Sequence, residues 1–190
     1  ALDLHADFKP DENYGYSNTN YFLMAGIIDK IVGHGHFQYI KDEILTPLGL
    51  NNTFGSLRNV NTGDVMSGYA VGWEPDLKTN YYGSMIATAE DVGLFLLALN
   101  DGSLLNETEQ AIYSSIYVYE HTGLLPGYYS IARYHKDIET IVVQFVNTIG
   151  GAPIAQLAGM GGGTKVMVSN VVYNRIVKIL RKEMNAKGKH

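Results

Sequence analysis

Apolar residues recur at helical spacing along most of the first two thirds of the chain. Leu23, Met24, Ile27, Ile28, Ile31 and Val32 share one side of a 3.6-residue period. Asn18 or Thr19 is placed to cap the start of that helix and Gly33 to end it. Tyr16 and Ser17 therefore fall on the turn just before what reads as a buried helix. Phe37 to Leu45 reads as a second helix, stopped by Pro47. Asn51 to Tyr82 breaks into turns and short runs, with the only tryptophan, Trp73, and reads as an excursion packed over a cleft. Thr88 then caps a helix whose apolar side is Val92, Phe95, Leu96 and Leu99 and which ends near Gly102. Asn106, with Glu109 three residues on, announces another helix.

After Ile116 the period shortens to that of strands. Ile116 to Thr122, Tyr128 to His135 and Thr140 to Thr148 are the candidates, and the short polar link at Lys136-Asp137 suits a hairpin between the last two. A Gly-rich loop, Gly150 to Gly163, leads to a long helix with Val168, Val172, Ile176, Ile179 and Leu180 on one side, suited to lie across the sheet. The pattern predicts an α+β protein: a mainly helical region over 1–115, then an antiparallel three-stranded meander and a flanking C-terminal helix over 116–190. Within the second region the polar trio His121-Thr122-Gly123 stands beside the Pro126-Gly127 turn. Glycine there permits close approach to the backbone, threonine can donate and accept, and histidine can carry charge near neutral pH.

Composition narrows the function classes. A chain with 46% hydrophobic and 17% charged residues can bury a core. The net charge of -5 is uneven, because seven of the 14 Lys and Arg lie from Lys165 onward with Glu183 as the only acid there. The preceding residues carry seven bases against 18 acids, a balance that argues against nucleic acid as the main partner. Cysteine is absent, which excludes disulfides and thiolate metal sites and leaves the compartment open. No stretch approaches transmembrane length. Gly159 to Lys165 imitates a phosphate loop, but Thr164 stands where glycine must precede the lysine. His34 and His36 flank Gly35 without an evident third ligand, so a surface turn is the better reading than a metal site.

An ordered series of short motifs adds more than any one of them. Tyr16-Ser17-Asn18 before a helix is followed by Pro47-Leu48-Gly49-Leu50, by Ser67-Gly68-Tyr69-Ala70, by Ile86 to Asp91, and by His121-Thr122-Gly123 with Pro126-Gly127-Tyr128-Tyr129. The series resembles the serine penicillin-recognising family, which includes class C β-lactamases, D-alanyl-D-alanine carboxypeptidases and related esterases. The resemblance implies the β-lactamase/transpeptidase-like fold, here as an incomplete catalytic domain, no cofactor, and export to the periplasm or cell envelope. In that family the nucleophile is the serine of an S-x-x-K motif that precedes Tyr-x-Asn, yet none of the nine serines here is followed by lysine three residues on. The chain thus looks like the C-terminal portion of such a protein. Its expected partners are the missing N-terminal segment or another copy, and without the first strands it should expose apolar surface and a bare strand edge.

Roles follow from the resemblance. Tyr16 takes the place of the general base or proton relay, and Asn18 that of a hydrogen-bonding partner for the substrate's amide. His121 stands where lysine is frequent, Thr122 would orient the substrate, and Gly123 would keep the strand edge open. The backbone N–H of Leu124 would supply half of an oxyanion hole. Leu124 and Leu125 replace the hydroxyl residue usual in carboxypeptidases, and Glu120 adds negative charge, so an anionic peptide end is disfavoured as substrate. The implied activity is that of a serine hydrolase acting on a D-amino-acid peptide, a β-lactam or an ester. The rival reading is a non-catalytic module of the same fold that binds cell-wall peptides.

Overall fold

The computed structural model describes residues 5–70, 76, 78, 83–116, 120–149 and 168–187. The chain forms two compact units, Ala1–Pro47 and Leu48–His190.

The first unit holds α1 (Asn18–Val32) and α2 (His36–Ile40), the latter running on into a π-helical turn, Lys41–Leu45. Gly33 ends α1 in the left-handed region at φ 76°, and its N–H reaches Asp29 O. Asp29 then accepts from the backbone N–H of His36 and lies 3.0 Å from its Nδ1, which joins the end of α1 to the start of α2. His36 is therefore engaged in a local turn. The expectation of a buried helix is corrected here: α1 buries none of its residues, and Phe22 and Ile31 are 77% and 78% exposed. Periodicity fixes which side chains share a side, not whether anything covers it.

The second unit is built on a three-stranded antiparallel sheet, β4 (Glu120–Leu125), β5 (Tyr128–His135) and β6 (Thr140–Val146), in that spatial order. Three two-residue strands precede it, β1 (Thr53–Phe54), β2 (Tyr69–Ala70) and β3 (Ile86–Ala87), and β7 (Thr148–Ile149) follows it. β1 pairs antiparallel with β3, and β2 runs parallel to β7. Helix α3 (Ala89–Asp101) is capped by Thr88, whose Oγ1 accepts from Asp91 N, and closes on Gly102 at φ 81°. Helix α4 (Glu107–Ile116) opens on a reciprocal box in which Asn106 and Glu109 exchange side-chain and backbone hydrogen bonds of 3.0 Å. Ile116 belongs to this helix and not to the strand expected from it, and the described strand is Glu120–Leu125.

Helix α5 (Val168–Lys187) lies on the sheet, with Tyr173 and Val177 packed against Ile131 and Val142 and with Tyr129 and Leu180 beside them. The apolar side predicted from Val172, Ile176 and Ile179 is corrected: these are 50%, 40% and 51% exposed, and the buried line runs through Tyr173, Val177 and Leu180. Tyr173 decides the rotation because its ring is buried while its hydroxyl meets His135 Nε2 at 2.9 Å and donates to Val142 O at 3.3 Å. Arg181 adds a two-point pair to Asp137, at 2.6 and 3.1 Å. Helix α3 packs on the opposite face of the sheet, closely enough that a Cβ on Gly93 would stand 3.8 Å from Val143. Among the described residues β4 and β6 are unpaired on their outer edges. With the exposed apolar side of α1, this agrees with the exposure expected above. The loop from Gly150 to Gly163, its imitation of a phosphate loop, and Trp73 lie outside the described residues.

Candidate active site

In the first unit the motif Tyr16-Ser17-Asn18 is a helix start with a division of labour. Ser17, not Asn18 or Thr19, is the N-cap: its backbone is extended at φ -146° and its Oγ accepts from Thr19 N at 3.2 Å. Asn18 is thereby released from capping, and its Oδ1 accepts the Tyr16 hydroxyl at 3.1 Å. The Tyr16 ring rests 5.6 Å from that of Tyr21 and is 66% exposed, so the phenol is oriented from both ends yet open to a reactant.

In the second unit the remaining candidates occupy β4, and the hairpin fixes how each is presented. The two-residue link Pro126-Gly127, with Gly127 at φ 84°, pairs Leu125 with Tyr128. That closing pair exchanges backbone hydrogen bonds, and the antiparallel ladder then alternates. Gly123 and His121 turn their backbone groups toward β5, while the N–H groups of Leu124 and Thr122 point out along the edge that is unpaired among the described residues. Side chains alternate as well. His121 and Gly123 pair with Ala132 and Ser130 on the α3 face, whereas Thr122 and Leu124 pair with Ile131 and Tyr129 on the α5 face. His121 and Thr122 are both exposed and look to opposite sides of the sheet. Gly123 has a reason beyond an open edge, since a Cβ there would stand 2.5 Å from Ser130 Oγ.

The motif Ser67-Gly68-Tyr69-Ala70 lies against the turn end of this hairpin. Tyr128 donates from Oη to Met66 O at 2.8 Å, and its ring leaves only 2.4 Å to a Cβ on Gly68. Asn147 donates from Nδ2 to Ser67 O and accepts from Tyr69 N, both at 2.9 Å. On the other side Asp76 accepts from Gly68 N at 2.9 Å and from Lys78 N at 3.0 Å. Its carboxyl is held down to about 2, first by the Ser67 hydroxyl and then by those two amides, against the opposing effect of burial. Motif reading missed these anchors.

It also missed the role of Asp91, the last residue of the Ile86 to Asp91 motif. Asp91 is 4% exposed and accepts from Asn52 N at 2.9 Å and Thr53 Oγ1 at 2.7 Å, which ties α3 to β1. An acidic residue in the first turn of α3 was visible as a helix-start feature, but its distant partners were not.

Residues 2–115, more than half of the chain, match the family model described as Beta-lactamase. A Bacillus subtilis (strain 168) protein that bears a penicillin-binding protein name, PbpX, is 26% identical over 166 residues, which cover 76% of this chain and 42% of that protein. Among solved structures, the D-amino acid amidase from Ochrobactrum anthropi SV3 complexed with L-phenylalanine is similar with a TM-score of 0.75 at 19% identity. The match covers 93% of this chain and 59% of that one. A penicillin binding protein from Bacillus halodurans follows the same course with a TM-score of 0.65 at 18% identity, over 80% of this chain and 58% of that one. At these identities the structural likeness establishes the β-lactamase/transpeptidase-like fold. The chain spans less than half the length of PbpX. On the family match, the chain belongs to the beta-lactamase family, whose members are serine hydrolases of the penicillin-binding and β-lactamase type.

Proposed function

We propose that the protein to which this chain belongs is an exported serine hydrolase. It acts through an acyl-enzyme on a D-amino-acid peptide or amide, a β-lactam or an ester, with the nucleophilic serine on a segment of the polypeptide outside these 190 residues. The observation that carries this reading is the edge of β4, unpaired among the described residues, along which the Leu124 N–H points outward on the same strand that carries the exposed His121. An outward amide on a rigid strand end is half of what a developing oxyanion requires, and the serine's own amide would be the other half.

In the proposed cycle the serine oxygen adds to the substrate carbonyl and the scissile C–N or C–O bond breaks with a proton passing to the leaving nitrogen or oxygen, which departs from a peptide, amide or ester and stays tethered in an opened β-lactam; water then cleaves the acyl ester to release the acid and the serine. Tyr16 relays the proton. Asn18 fixes the substrate's amide, His121 supplies positive potential or a second relay, and Thr122 and Gly123 shape the edge along which the substrate lies. The apolar Leu124 and Leu125 favour a neutral acyl compound over an anionic peptide end.

The test is acylation of the complete protein by a β-lactam, followed by mass spectrometry, together with the variants Tyr16→Phe and His121→Ala. A gain of the drug's mass on a serine outside this chain, with turnover lowered by about 10²-fold or more in Tyr16→Phe, is the expected result. Turnover unchanged in both variants refutes the assigned roles. Reversible binding of cell-wall peptide without any acylation identifies the non-catalytic module instead.

A further inference from the structure

We propose that Ser130 is a further substrate-contacting residue. Its hydroxyl reaches the edge strand through the space that Gly123 leaves and holds a neutral hydrogen-bonding group of the leaving amine or alcohol. The inference rests on the functional reading above and adds to it the chemistry of the group that departs.

Ser130 stands opposite Gly123 on β5. A Cβ built on Gly123 would be 2.5 Å from Ser130 Oγ but 3.9 Å from Ser130 Cβ, so the hydroxyl leans toward β4 and occupies the volume that a side chain at position 123 would fill. Standard bond lengths then put Oγ within about 4 Å of Gly123 Cα and within about 7 Å of the Leu124 nitrogen. A carbonyl oxygen held by the Leu124 N–H thus brings the first few atoms attached to its carbon within reach of Ser130.

The sheet face decides which side of the substrate that is. Side chains alternate along a strand, so Gly123 and its partner Ser130 share the face of His121, two residues back along β4. His121 supplies positive potential or a proton relay in the cycle above, and such a group serves the leaving nitrogen or oxygen. The leaving side therefore faces Ser130. Here the sheet is also open. Ala132 is buried, and α3 comes against its partner Val143 at Gly93. One rung on, Ser130 is half-buried and its β6 partner Phe145 is 36% exposed. Gly123 and Phe145 have no polar side-chain atoms, which leaves Ser130 as the hydrogen-bonding side chain of its rung. Among the described residues its hydroxyl has no hydrogen-bond partner. A half-buried hydroxyl held there by packing alone would gain by pairing within the protein, whereas an unpaired one beside the edge can both donate to and accept from a carboxamide.

The experiment uses the complete protein, the variant Ser130→Ala and two D-alanine esters of matched shape, carbamoylmethyl and isobutyl. Only the first leaving alcohol carries hydrogen-bonding groups beyond its own oxygen. Ser130→Ala is expected to lower kcat/KM for the carbamoylmethyl ester by about 3- to 10-fold, the size of one hydrogen bond, and to leave the isobutyl ester unchanged. Differences in the intrinsic reactivity of the esters cancel in this comparison, and a merely structural role for Ser130 would lower both alike. A ratio of the two esters that Ser130→Ala does not move overturns this inference alone, as does a protein that a β-lactam acylates but that reacts with neither ester. A protein that no β-lactam acylates and that turns over neither ester overturns the functional reading, and this inference with it.

Discussion

Gly123 is where a candidate site residue and the packing of the sheet can be separated by experiment. Its backbone is outside the left-handed region, so alanine can adopt the same conformation. Taken alone, that change removes freedom from the unfolded chain and should stabilise by about 0.4–1 kcal/mol. Opposing it is one contact: the new Cβ would stand 2.5 Å from Ser130 Oγ, while Ser130 Cβ is at a comfortable 3.9 Å. The hydroxyl must leave its rotamer or the strands must part, at a cost of about 1–3 kcal/mol. Gly123→Ala is therefore expected to be neutral to destabilising by about 2 kcal/mol in the wild-type background. In a Ser130→Ala background, where the offending atom is gone, the same substitution should stabilise by about 0.4–1 kcal/mol. Urea unfolding of the four proteins of this double-mutant cycle measures a coupling of about 1–3 kcal/mol. Equal effects in the two backgrounds, within ~0.5 kcal/mol, would refute the contact as the reason for glycine at this position.

Two further outcomes follow from buried polar groups in the second unit. Asp91→Ala removes a carboxylate that accepts from Asn52 N and Thr53 Oγ1, and should cost about 1.5–3 kcal/mol in urea unfolding; a loss below ~0.5 kcal/mol would show that α3 and β1 do not depend on it. The imidazole of His135, 5% exposed against Tyr173, is held below its ordinary value by burial first and then by Arg133 and Arg181, with Asp137 opposing. The unfolded chain takes up that proton near pH ~6.5, so the unfolded state binds more protons below this point. Stability is then full above pH ~6.5 and declines as pH falls toward the depressed folded value. A urea midpoint that does not fall between pH 7.5 and 5, or that falls as steeply in His135→Gln, contradicts this account.

Local features of the chain were legible in its sequence because they are settled within a few residues. The termination of α1 at Gly33, the span of α3 from Thr88 to Gly102 and the box of Asn106 with Glu109 each depend on a side chain or glycine acting on its own turn of helix. The strand Tyr128–His135 and the order β4-β5-β6 follow from a short link and an unbroken run of strand residues. The candidate residues were found for the same reason: Tyr16, Asn18 and His121 to Leu124 belong to short motifs that sequence alone displays.

The tertiary structure decided everything that needed a partner from elsewhere in the chain. Ile116 is apolar enough for a strand, yet it belongs to α4. Helix α5 turned to bury Tyr173 and Val177 rather than Val172 and Ile176, because only that rotation gives a buried hydroxyl His135 and Val142 as partners. Ser17 took the cap and left Asn18 for Tyr16. Pairing of Gly123 with Ser130, of Gly68 with Tyr128 and of Asp91 with Asn52 spans separations that no periodicity reports. Local propensity thus laid down the helices, the meander and the motif residues, whereas close packing and the need to satisfy buried polar groups chose which faces meet and which glycines are required.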